Sequence, residues 1–134
     1  MRILSVLVSI AALTVLAAGC TGPRVAVVDS DRVLNESVLA LAFQKQLSER
    51  ERLMAEDLRL LGPQLSAQEI EARRQIYTRE LQKMKDELER RLSTRVREVV
   101  AEVAKERRLK LVLVKDATPY GGMDVTADVI AKLK

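Results

Sequence analysis

The apolar positions divide the chain into stretches of different periodicity. Val25, Ala26, Val27 and Val28 form a short β-branched run closed by Asp29 and Ser30, and this predicts a strand. Ser30 or Asp31 is placed to cap a following helix that continues to Leu61, where Gly62-Pro63 stops it: glycine accepts a left-handed turn and proline cannot extend the hydrogen-bond ladder. Phe43, Leu47, Met54, Leu58 and Leu61 make an apolar stripe on this helix, interrupted by the charged stretch Glu49 to Arg52.

Ser66 and Glu69 have the spacing of a capping box, with Leu65 and Ile70 set to close a hydrophobic staple. No glycine or proline follows until Pro119, and helical periodicity persists to about Arg108, so a second helix of roughly 40 residues and about 60 Å is predicted. Its stripe is Tyr77, Leu81, Met84, Leu88, Leu92, Val96, Val99 and Val103. The steps of three and four mix a heptad with longer spacing, which suits a nearly straight antiparallel hairpin.

The run Leu109 to Val114 carries apolar residues on both faces and is expected to be a central strand. Asp116 to Gly122 follows as a turn or short edge strand, because Pro119 lacks the amide an interior ladder needs. Thr126 is the expected cap of a last helix, with Asp128 near its positive end and Val125 opposite Ile130 as a second staple. The two main strands lie at opposite ends of the mature chain and can pair in parallel through the hairpin. The predicted fold is α+β and mostly α: a long antiparallel helical hairpin, or coiled-coil arm, projects from a small β body that also holds a short C-terminal helix. So small a sheet buries little and leaves apolar edges, so self-association is expected. Val25, Val27, Leu111, Val112 and Leu113 are the candidate residues of the oligomer body.

The first 20 residues stand apart. Met1 and Arg2 give a short positive start, Ile3 to Leu16 is apolar apart from Ser and Thr, and Ala17, Ala18 and Gly19 lead into Cys20. This is the layout of a secretory signal, with an apolar run shorter than the roughly 18 residues of a membrane span. The segment resembles a bacterial lipobox, although Ala17 holds the place usually taken by leucine, and the resemblance makes Cys20 a lipidation site and the first mature residue. Residues 1–19 are therefore assigned to a lipoprotein signal peptide and 20–134 to a single domain, with a body at 24–37 and 109–134 and an arm at 38–108. The mature protein is therefore expected to leave the cytoplasm. Thr21 carries no acidic inner-membrane retention signal, which favours anchoring in the outer membrane over the inner one.

Composition narrows the function. One cysteine and no histidine leave no intramolecular disulfide, His-based metal site, Cys-His pair or Ser-His triad. No GxxxxGK loop occurs, so ATP-driven action has no support, and the protein is expected to be neither an enzyme nor a cofactor carrier. Loss of residues 1–19 removes only Arg2 from the 23 basic residues, leaving 22 against 19 acidic ones and a net charge of +3. Phe43, Tyr77 and Tyr120 are the only aromatic residues, too few for base stacking, and nucleic acid is not an expected partner.

Two segments carry a family resemblance. VAVVDSDRVLNES (25–37) resembles the opening strand and helix start of Skp/OmpH proteins, and VAKERRLKLVLVKDATPYGGMDVTADVIAKLK (103–134) resembles their closing strand, turn and helix. The family often has glycine before the closing strand, where this chain has Arg108, and an acidic residue after LVL, where it has Val114. The resemblance implies a homotrimer with three projecting arms. It would hold unfolded outer-membrane proteins without ATP and keep them from aggregating. Leu53, Leu60 and Ile76, off the main seam of the arm, are the candidate client contacts. The competing reading is a structural coiled-coil envelope lipoprotein that binds no client; such a spacer has no need of the closing strand and capped helix.

Overall fold

The computed structural model describes residues 24–118 and 120–134, so the predicted signal segment and Cys20 lie outside the described residues. Strand β1 (Val25–Val28) leads into helices α1 (Ser30–Glu36) and α2 (Val38–Leu61), and a 3-10 turn (Gly62–Gln64) connects to the long helix α3 (Ala67–Glu106). Strand β2 (Leu111–Val114), a second 3-10 turn (Lys115–Ala117), the two-residue strand β3 (Met123–Asp124) and helix α4 (Thr126–Lys132) complete the chain. The architecture is the predicted α+β body with a long hairpin arm.

The sheet order is β2-β1-β3, with both pairings parallel. Val25 to Val28 stand opposite Leu111 to Val114, as the crossover through the hairpin requires. β1 is therefore the central strand, and β2, expected at the centre, is an edge. The reason is visible in burial: Ala26, Val27 and Val28 are buried, whereas Leu111 and Val114 are exposed, so the valine run takes the covered position.

The first helix is not continuous. Asp29, rather than Ser30 or Asp31, caps α1, its carboxylate accepting from the Arg32 amide at 3.0 Å. Ser37 then leaves helical geometry with ψ of 139°, ends α1 with its backbone N–H donating to the Val33 carbonyl at 3.2 Å, and caps α2 with its hydroxyl accepting from the Ala40 amide at 3.3 Å. A buried serine hydroxyl competing for backbone amides is enough to break a helix without glycine or proline. The break turns the Leu39 amide onto the Leu133 carbonyl at 3.2 Å and so ties the start of the arm to the end of the chain.

At the tip, Gly62 has right-handed geometry (φ −48°), so the helix stops because Pro63 follows and not through a left-handed glycine. The Ser66–Glu69 capping box forms in full. At the far end of α3, Arg108 is left-handed at φ 53° and turns the chain into β2. Thr126 does not cap α4 with its side chain. Asp124 accepts from the Thr126 amide at 2.9 Å, and the Thr126 hydroxyl instead accepts from the Asp29 amide at 2.9 Å.

The core lies under the sheet. Ala26, Val28, Val33, Val99, Val103, Val125, Val129 and Leu133 are buried together, with Val96, Val100, Val112 and Ile130 packed against them. The last turns of α3 thus belong to the same packed unit as the strands.

Candidate functional site

Along the arm the predicted stripes meet. Met54 and Leu88 are buried, and Phe43, Leu47, Leu58, Tyr77, Leu81, Met84 and Leu92 are half-buried between α2 and α3. The charged stretch that interrupts the α2 stripe is bridged by polar contacts. Arg50 pairs with Glu80, Arg73 with Asp57 at 3.4 Å, and the Tyr77 hydroxyl donates to Asp57. The bond to Asp57, together with burial, pushes the Tyr77 phenol above its ordinary pKa. Arg91 lies over the Phe43 ring, 5.0 Å from its centre, and closes the seam nearer the body. At the tip, bonds from the Ser66 hydroxyl and amide hold the Glu69 carboxyl below its usual range.

With the seam filled in this way, some apolar side chains remain outside it. Leu53, Leu60 and Ile76 are 46%, 55% and 52% exposed. The pairing of Asp57 with Arg73 and Tyr77 places Ile76 level with the Leu53–Leu60 segment, so all three lie on the outer half of the arm. Burying one such side chain against a partner is worth about 1.5–3 kcal/mol, and three scattered sites give weak, distributed contact rather than a pocket.

The body residues separate into two groups. Val27 is buried within the chain's own fold and Val112 packs against the core, while Val25 and Leu113 are half-buried. Leu111 and Val114, by contrast, expose 48% of their surface on the unpaired edge of β2. Sequence reading missed a second apolar region at the base of the arm. Leu34, Ala40, Phe43, Leu47, Leu88 and Leu92 line a cleft of about 250 Å3, and Val38 and Leu41 are exposed nearby in sequence. The signal was present in the steps of four and three from Leu34 to Val38 to Leu41, which mark a second stripe beside the seam.

Among the described residues, no three His, Cys, Asp or Glu side chains gather as a metal site, and no helix is long and apolar enough to cross a membrane. A small parallel sheet with an open edge, carrying a hairpin whose outer half keeps apolar side chains exposed, defines a mostly helical α+β protein built around a projecting arm. The family model described as outer membrane protein (OmpH-like) matches residues 42–133, and the chain belongs to that family. The family is one of periplasmic chaperones, not of enzymes, and its members bind unfolded outer-membrane proteins. No curated protein matches the chain.

Proposed function

We propose that the protein is an ATP-independent periplasmic holdase, a lipid-anchored homotrimer that receives unfolded outer-membrane proteins between its arms and keeps them from aggregating. The observation that carries this reading is the exposure of Leu53, Leu60 and Ile76 on the outer arm after the seam has been closed by other residues. Unfolded β-barrel strands present apolar side chains and unpaired edges, and such sites cover the former without fixing one sequence. A mildly basic chain adds attraction for acidic clients. The exposed edge of β2 at Leu111 and Val114 supports assembly through the body. Cys20, following the signal at 1–19, supplies the acyl anchor, with the outer membrane the favoured site.

The test is light scattering of an unfolded β-barrel client diluted from urea in the presence of the protein. The wild type should suppress aggregation without nucleotide, and Leu53→Ser with Leu60→Ser and Ile76→Ser should lose most of that effect while keeping the same sedimenting mass. A structural spacer would give no suppression by either protein. Equal protection by the triple variant would remove these three residues from client contact.

A further inference from the structure

The end of the body farthest from the arm tip gathers basic side chains. Arg24, Arg107, Arg108, Glu106 and Met123 surround one shallow hollow, and the Lys110 amide donates to the Arg24 carbonyl at 3.0 Å, which sets Lys110 beside it. Two of these charges are spent internally: Arg107 pairs with Asp128 at 2.7 Å, and Glu106 with Lys132 at 2.7 Å. Arg24, Arg108 and Lys110 are exposed and have no ion-pair partner among the described residues.

Arg108 carries a second observation. Its φ of 53° lies where a side chain is strained and glycine is favoured. The position is the left-handed cap just past α3, which glycine fits best, so arginine there adds a charge to the patch at a backbone cost.

Two distances relate this patch to the rest of the protein. Three residues, Thr21 to Pro23, separate Cys20 from Arg24, so an acylated Cys20 cannot lie more than about 14 Å away along the chain. In the other direction, α3 runs 40 residues from the tip at Ala67 to Glu106, about 60 Å. The patch is therefore at the tethered end, and the tip at the opposite one.

We infer that Arg24, Arg108 and Lys110 form a membrane-facing surface for anionic lipid headgroups, which seats the body on the bilayer and points the arm away from it. This rests on the acyl anchor of the proposed function for the short tether, but the charge surface has its own readout. A basic side chain close to an anionic bilayer contributes about a fivefold preference for contact, so three bias the seated orientation by roughly a hundredfold.

The experiment uses the exported protein, purified from envelopes and placed in vesicles of phosphatidylcholine with or without a quarter of phosphatidylglycerol. Mass spectrometry first reads whether Cys20 is acylated; an unmodified cysteine overturns the anchor and not the surface. A fluorophore on Met123→Cys reports the patch, and one on Gln64→Cys the tip, each read against a headgroup-attached quencher. The anionic vesicles should quench the Met123 label and spare the Gln64 label, with salt at 0.5 M weakening the difference. Arg108→Gly, which relieves the backbone while deleting the charge, should keep or raise the melting temperature yet lower the ratio of seated to unseated protein about fivefold. Arg24→Glu with Lys110→Glu should lower it further. Should Cys20 be unmodified, co-flotation with the same vesicles replaces quenching, and the same variants should lose binding to the anionic ones. Identical behaviour on neutral and anionic vesicles, or quenching unchanged in all variants, would overturn the proposal.

Discussion

Thr126 joins the two ends of the chain, and its replacement by valine tests how the body is held together. The residue is fully buried, and its hydroxyl accepts from the Asp29 amide at 2.9 Å across 97 positions of sequence. Thr126→Val keeps the shape and removes the hydroxyl, which is the acceptor for the Asp29 amide and a partner of the Asp124 carboxylate. The Asp29 amide then sits beneath the C-terminal helix with a methyl group facing it. An unsatisfied, partly buried amide costs about 1–3 kcal/mol, and the added apolar atom returns a fraction of that, so a net loss of about 1–2 kcal/mol is expected. For a domain of this size each kcal/mol moves the melting temperature by roughly 4–8 °C, compared at equal protein concentration because assembly also stabilises. Hydrogen exchange at the Asp29 amide is the specific readout: it should lose protection in Thr126→Val and keep it in Thr126→Ser, which retains the hydroxyl. The arm amides from Arg50 to Glu80 should be unaffected. A Thr126→Val protein with wild-type melting and a protected Asp29 amide would refute this account of the body.

Three further outcomes are expected. Asp29 is held below its ordinary carboxyl range by the bond to the Arg32 amide and then by Lys115, and Asp124 by its bonds to Thr126. Because both are lowered on folding, the unfolded chain binds more protons, so their contribution is complete above about pH 3.9 and disappears as pH falls through the lower folded values; acid melts should flatten in that window for Asp29→Asn with Asp124→Asn. Ser66→Ala should cost the arm tip about 1 kcal/mol, seen as faster amide exchange at residues 66–70 with the body unchanged. Gly122→Ala meets both a φ of +90° and a Val27 methyl 2.9 Å from the new carbon, so a loss of at least about 1–2 kcal/mol in urea melts is expected, without change in the arm.

The long helices and the capping box were legible because their signals are local: periodicity and a four-residue cap require no knowledge of the rest of the chain. β1 was legible for the same reason. What escaped was decided by partners distant in sequence. β1 and β2 both read as apolar runs, and only their packing against Val99 and Val103 reveals which is central. Thr126 looks like a cap until Asp29 claims its hydroxyl, and Ser37 breaks a helix with no turn residue to announce it, because Leu133 is waiting for the Leu39 amide. In the arm, Leu53, Leu60 and Ile76 could be set apart by their offset from the stripe. Of the cleft beneath Leu34 and Phe43 only the apolar spacing of Leu34, Val38 and Leu41 could be read; its shape could not, since its lining comes from three helices at an angle fixed by the break at Ser37.

The parallel pairing of Val25 with Leu111 has a bearing on how the protein comes into being. Synthesis proceeds from the N-terminus, so β1 is made 86 residues before the first residue of its partner. Closing a flexible loop of that length costs on the order of 4 kcal/mol in chain entropy, whereas a folded hairpin brings both ends together and reduces the open span to a few residues at each foot. The arm, built from local contacts, is thus the natural first event, and the sheet condenses last. Until then β1 is an apolar strand with both edges unpaired. A protein proposed to shield such strands passes through the same exposed condition in its own biogenesis, with its hairpin as the device that shortens the wait.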